Sequence, residues 1–349
     1  MQLVALLSLA TAVPRNEIDQ RAVVQTIREL FAHRFSGFER MAAVFDNAGV
    51  ASRQSVMPLD WYKRSRGWAE RSEAYARGAT ELFVEAAEKA LFAASLRGAD
   101  VDAIVTVSST GIATPTLEAR AARRLGFRPD VERVPIFGLG CAAGVTGLTT
   151  AARLAREKAG KIVLFVAVEA CTLAFRLDEL TKANMIACAL FGDGAAACVL
   201  REGGGGIARI GAGAEYMWPD TLDIMGWAVD DTGLGVILNR SIPEFAAANL
   251  GEGVAFLLRK IDMSPADVGR FVCHPGGARV VEAIESSLAL GAGSLALERD
   301  VLRDHGNMSA PTVLFVLERL LREGLPERAA MLALGPGFTL SALALSRPG

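Results

Sequence analysis

Apolar positions come in two rhythms along this chain. Short, nearly continuous runs such as DAIVTVSS (102–109), KIVLFVAVEA (161–170), RFVCH (270–274) and AAMLALG (329–335) read as buried strands. Between them, 69–96 and 280–290 repeat their apolar residues at helical spacing. Strands that alternate with helices in this way predict an α/β protein whose helices cover a sheet. The first apolar run, MQLVALLSLATAVP, resembles the core of a signal peptide but lacks a basic start. A first strand with a turn at Pro14 is the better reading, and no run is long enough to span a membrane.

Laid on itself with a shift of 166 residues, the chain repeats without a gap. VDAIVTVSSTG falls on the segment ending in GRFVCHPGG, GCAAGVTGLTTAARL on GNMSAPTVLFVLERL, and KIVLFVAVEA on ERAAMLALGP. Cys141 then pairs with Asn307 (307 − 141 = 166) and Ser108 with His274 (274 − 108 = 166). The repeat predicts a duplicated α/β core with its site between the halves. The stretch Gly203–Gly206 is the seam, which divides the chain into an N-terminal half, 1–202, and a C-terminal half, 203–349.

Composition narrows the function. With a net charge of −2 and scattered Lys and Arg, nothing points to nucleic acid. The five cysteines, Cys141, Cys171, Cys188, Cys198 and Cys273, match neither a zinc site nor a disulfide framework. Mostly structural thiols in a reducing cytoplasm is the expectation, with no metal.

Three residues stand out chemically. Cys141 lies in FGLGCAAGVTGL, at a glycine-flanked turn into an Ala-rich helix read over 142–158. A thiol there feels the positive helix end, which favours the thiolate that a nucleophile needs; a small residue filling a tight elbow is the plainer alternative. His274 ends a buried strand before Pro–Gly–Gly, well placed to face a cleft at the strand's carboxyl edge. Of the other histidines, His33 lies in a polar helical segment and reads as surface, while His305 abuts Asn307. Asn307 precedes the helical run 312–322 and could simply cap it. As the symmetry mate of Cys141, however, it would face the same cavity. Cysteine with His and Asn serves amide hydrolysis, or acyl transfer with decarboxylative condensation. In the second case His and Asn both donate hydrogen bonds to a thioester oxygen and stabilise an enolate without protonating it.

The motifs ATAVP with Gln20, STGIATP (109–115), GLGCAAG (138–144), LFGDGAAA (190–197), HPGG (274–277), GNMSAP (306–311) and GPGF (335–338) resemble, in order and over nearly the whole chain, those of the type III polyketide synthases, the chalcone and stilbene synthase family. The resemblance implies a thiolase fold, a five-layer αβαβα arrangement with internally duplicated halves, and a homodimer. It implies a triad of Cys141, His274 and Asn307, with Phe191 as an aromatic gate between a coenzyme A tunnel and the cavity. It implies a cavity lined near Ser109, Thr110, Cys171, Ser309 and the loop Gly335–Gly337, and Thr114 reaching the partner's cavity. Coenzyme A would be held near Gly276 and Gly277 and by Arg40; two other basic positions of the plant enzymes fall on Gly37 and Val44. A second aromatic gate of the plant enzymes falls on Val236, where a smaller side chain opens space. The segment MGWAVDDTGLG (225–235) resembles bacterial members.

The activity implied is a malonyl-CoA-dependent acyltransferase. It loads an acyl-CoA starter on Cys141, extends it by decarboxylative condensation and cyclises the product. The space at Val236 and Thr114 favours fatty acyl starters and alkylpyrones or alkylresorcinols. No bound cofactor is expected, coenzyme A thioesters being substrates. A ketoacyl-ACP synthase III with one condensation, a cysteine hydrolase and a non-catalytic thiolase-fold subunit are the rivals.

Overall fold

The computed structural model describes residues 3–31, 43–179, 181–239 and 241–348. In the N-terminal half, β1 (Val4–Ala12) is followed by β2 (Asn16–Asp19), α1 (Gln20–Phe31), β3 (Ser52–Ser55) and the long α2 (Trp68–Ala93). Then come β4 (Ala103–Val107), α3 (Leu117–Leu125), β5 (Glu132–Ile136), α4 (Ala143–Ala155), β6 (Ile162–Ala170), α5 (Lys182–Leu190) and β7 (Asp193–Glu202). After the glycine turn follow β8 (Ala208–Met217), the hairpin β9 (Met225–Asp230) and β10 (Gly233–Leu238), and α6 (Ile242–Lys260). The chain ends with β11 (Arg270–Cys273), α7 (Ala278–Ser287), α8 (Ala296–His305), α9 (Thr312–Glu323), β12 (Arg328–Gly335) and β13 (Thr339–Ser346).

Nine strands pair in the order β11-β12-β13-β8-β1-β7-β6-β4-β5. Reading outward from the central β1·β8 pair, each half repeats one pattern. β6 lies parallel to β4 and antiparallel to β7, and β12 lies parallel to β11 and antiparallel to β13. β1 and β8 pair over only three residues on β1, Val4 to Leu6, so the halves are nearly separate sheets hinged at the axis. β4, α4 and β6 of the first half occupy the places of β11, α9 and β12 in the second. The shift of 166 residues is therefore a structural duplication.

Alternation along the strands builds five layers. Val163, Phe165 and Ala167 of β6 face the central helices α4 and α9, while Leu164, Val166 and Val168 face α2 and α3. In the second half, Ala329, Met331 and Ala333 face the centre, and Ala330, Leu332 and Leu334 face α6 and α7. Strands buried on both faces have no polar side to show, which is why they read as continuous apolar runs. The arrangement is the thiolase-like α/β fold with a mixed central sheet. Among the described residues no helix is long and apolar enough to cross a membrane.

Gly144 of α4 meets Ala310, in the turn just ahead of α9, and the two are duplication mates (310 − 144 = 166). A Cβ on Gly144 would stand 2.3 Å from the Ala310 carbonyl oxygen and 2.7 Å from Val313 Cγ1. Gly144→Val should therefore cost on the order of 1–3 kcal/mol by overpacking. Thermal denaturation checks this against Gly204→Ala, which adds its methyl in open space; equal melting temperatures for the two variants would refute it.

Candidate active site

Both central helices begin at one cavity between the halves. Cys141, His274 and Asn307 all reach it, together with Ser109, Thr110, Cys171, Phe191, Val236, Gly276 and Ser309. Most of the remaining wall is apolar, from Met225, Trp227, Ile237, Leu238, Leu250, Val280, Ile284 and Leu340 among others. An apolar chamber with a few convergent polar groups is the usual form of a small-molecule site.

Cys141 sits in a single 3₁₀ turn, Gly140–Ala142, that leads into α4. Gly140 has φ +50°, and a Cβ there would meet the Pro336 ring at 2.7 Å, so the turn needs glycine. The Ser109 hydroxyl accepts from the backbone N–H groups of Gly138 (3.1 Å) and Gly140 (3.3 Å), fixing the turn from the other side. The thiol is not the acid that a helix start alone predicts. Burial pushes it up to about 11, and the contact with Ser309 only partly offsets that. Desolvating a charge outweighs the dipole here, so the thiolate needs a charged partner to form.

His274 follows β11, where its backbone N–H donates to the Leu332 carbonyl at 2.9 Å. Its ring is 4% exposed, and neither Nδ1 nor Nε2 bonds any other described protein atom. Burial lowers its pKa to about 4, which keeps the imidazole neutral at ordinary pH. Two unengaged buried nitrogens that face the thiol's cavity are free for a substrate or for the Cys141 proton.

Asn307 is not the cap of α9, whose first helical residue lies five positions later. Its Nδ2 donates to the Gly276 carbonyl at 3.1 Å, and its Oδ1 accepts from Ser309 N–H at 2.8 Å. One N–H of the amide is spent and one remains to donate. The backbone is fixed by a parallel bridge to Phe191, with Asn307 N–H to Leu190 O at 2.7 Å and Gly192 N–H to Asn307 O at 3.1 Å.

Not every expected position lines this cavity. Of the 335–337 loop, Pro336 touches the cavity; Gly335 packs on Ala142 and Leu139, and Gly337 lies beside Met217 and Leu222. Gly276 lines the cavity, whereas Gly277 packs near Leu190. Thr114 is exposed and does not line its own chain's cavity. Arg40, Gly37 and His33 lie outside the described residues. Val236 lines the wall beside its cross-strand partner Trp227, whose ring meets Phe191 edge-on with centroids 6.3 Å apart.

Sequence reasoning also missed Glu169. It is fully buried, accepts from the backbone N–H of Ser109 and Thr110 and from the Thr110 hydroxyl, and its pKa is pushed up to about 7 by burial. A lone carboxylate in the apolar strand VLFVAVEA was the available signal. No group of acidic, His or Cys side chains arranged to hold a metal occurs among the described residues.

Comparison with known proteins agrees with this geometry. Residues 2–204 match the model for the N-terminal domain of chalcone and stilbene synthases, and 210–347 match that for the C-terminal domain. The chain is 34% identical to the 1,3,6,8-tetrahydroxynaphthalene synthase of Streptomyces peucetius subsp. caesius, over 94% of this chain and 89% of the relative. The crystal structure of the Streptomyces coelicolor A3(2) enzyme of that name, a bacterial type III polyketide synthase, superposes with a TM-score of 0.93 at 27% identity, covering 99% of each chain. CsyB complexed with CoA-SH shares the fold, with a TM-score of 0.90 at 24% identity over 99% of this chain and 100% of CsyB.

Proposed function

The chain belongs to the chalcone and stilbene synthase family, the type III polyketide synthases, and within that chemistry we propose that Cys141 is the nucleophile and His274 and Asn307 its partners. The family's enzymes are acyltransferases that condense malonyl-CoA units iteratively. The observation that carries the assignment is that a thiol at a helix start, an imidazole that burial keeps neutral and an amide with a free donor meet on one apolar cavity.

His274 takes the Cys141 proton, and the thiolate attacks the acyl-CoA carbonyl. The C–S bond to coenzyme A breaks, and its sulfur leaves with that proton. Malonyl-CoA then binds with its thioester oxygen between His274 and the free Asn307 N–H. Carbon dioxide departs, and the two donors stabilise the enolate oxygen. The enolate carbon attacks the Cys141 thioester, the sulfur leaves, and the chain is two carbons longer. Neither donor is an acid at neutral pH, so neither quenches the carbanion. Apolar walls keep water from the reactive intermediates.

The starter we favour is a fatty acyl-CoA, giving alkylpyrones or alkylresorcinols. A second, largely apolar pocket lies behind Phe191 and Cys171, which line both spaces, and is walled by Ile18, Val23, Ile27, Leu30, Leu59 and Phe175. Phe191 stands between them as a gate, and an alkyl tail extending past it would be dehydrated along its length, at about 0.8 kcal/mol per buried CH₂. Val23→Phe fills part of this chamber. It should lower turnover of a long-chain starter about tenfold while leaving acetyl-CoA turnover within about twofold. Equal losses for both starters would move the tail elsewhere.

Coenzyme A is read as lying along Gly276 and Gly277, with Arg40 as its basic contact. A homodimer fits the free edge of the sheet at β5, with exposed Ile112 and Phe137 beside it. Thr114, on the same exposed stretch, would then reach the partner's cavity. The halves 1–202 and 203–349 are read as the units brought together around the site.

A further inference from the structure

Arg53 carries a buried charge that the reaction described above does not use. It lies on β3, 3% exposed, and its guanidinium faces the end of α5. Nη1 donates to the carbonyls of Cys188 (2.5 Å) and Phe191 (3.1 Å); Nη2 donates to the Ala189 carbonyl (3.0 Å) and to Gln20 Oε1. All four terminal N–H groups are thus engaged, three of them by carbonyls at the negative end of a helix. Among the described residues no carboxylate bonds it directly and its Nε has no hydrogen-bond partner, so its charge rests on this helix exit.

The helix exit is also where the site is assembled. Phe191 is the first residue after α5, and its backbone forms the bridge to Asn307. β3 grips the other flank of that bridge as well. Gln54 Nε2 donates to the Asp304 carbonyl at 3.4 Å, Gln54 Oε1 meets His305 Nδ1 at 2.8 Å, and the Ser52 hydroxyl donates to the Asp304 carbonyl at 3.2 Å. One short strand therefore braces both chain segments that carry Phe191 and Asn307.

We propose that Arg53 is a positioning residue for the condensation: its planar fork locks the exit of α5 and, through the Phe191–Asn307 bridge, aims the free Asn307 N–H at the thioester oxygen. The inference rests on the role given to Asn307 above. Lysine keeps the charge but presents its donors from one point, so it cannot reproduce a fork that meets four acceptors. An error in aim costs transition-state stabilisation rather than ground-state binding.

The test measures malonyl-CoA decarboxylation by wild type, Arg53→Lys, Arg53→Gly and Asn307→Ala, with melting temperatures alongside. Arg53→Lys should lose about tenfold to a hundredfold in kcat with KM for malonyl-CoA within about twofold. Arg53→Gly should regain about fivefold or more in kcat when guanidinium chloride is added at millimolar concentration, and nothing with sodium chloride. Wild-type kcat in Arg53→Lys beside a crippled Asn307→Ala overturns the proposal, as does a rise in KM with kcat intact, or a lower melting temperature with kcat intact. Full activity in Asn307→Ala would instead remove the role of Asn307 on which the proposal rests.

Discussion

Cys141→Ala should abolish chain extension while malonyl-CoA continues to lose carbon dioxide. Extension needs a covalent acyl carrier, and the proposed mechanism supplies no other, so product formation should fall by about a thousandfold or more. Decarboxylation needs only donors on the thioester oxygen, which His274 and Asn307 still supply. The two steps thus part company in one variant. Product mass spectrometry with carbon-labelled malonyl-CoA reads both. Persistent extension in Cys141→Ala would point to Cys171, which lines the same cavity, or to transfer without a covalent intermediate. Loss of both steps together would show that the thiol also acts in decarboxylation.

The second large effect is expected at His274. His274→Gln keeps a donor but removes the group that accepts the Cys141 proton. Burial pushes that thiol up to about 11, so without a proton acceptor beside it the thiolate is scarce at neutral pH. Alkylation of Cys141 by iodoacetamide at pH 7 should slow about tenfold or more in His274→Gln, and starter loading should slow with it. Decarboxylation should suffer less in His274→Gln than in Asn307→Ala, because a glutamine amide still donates. Removing a donor to a developing oxyanion costs about a hundredfold to a thousandfold. Unchanged alkylation in His274→Gln would mean that the thiol is activated by the helix start after all. The pair His274→Gln and Asn307→Ala thus separates proton acceptance from oxyanion stabilisation.

The layered core was legible because its strands are buried on both faces and its duplication carries no gap. β4, β6, β11 and β12 appear where continuous apolar runs stand, and one offset aligns the halves. His274 could be singled out because it ends the buried strand β11, and Cys141 and Asn307 because each follows a glycine just ahead of a central helix. What escaped notice depends on partners far away in sequence. Arg53 reads as one more polar residue until its carbonyl partners at 188, 189 and 191 are brought to it. Trp227 stands beside Val236 only because the hairpin register sets them opposite each other. The expected thiolate at Cys141 fails in the resting site for a related reason. The helix start is local and visible in sequence, whereas the burial that outweighs it comes from segments far away in the chain that wall the cavity.

The most direct test of the central claim is the intact mass of the protein after brief incubation with a starter acyl-CoA and no malonyl-CoA, followed by peptide mapping. The account predicts a mass increase of one acyl group on the peptide that contains Cys141, lost on adding malonyl-CoA as extended products appear, and absent in Cys141→Ala. An acyl group found on Cys171 or Cys188, or none with any starter while malonyl-CoA is still turned over, would contradict it.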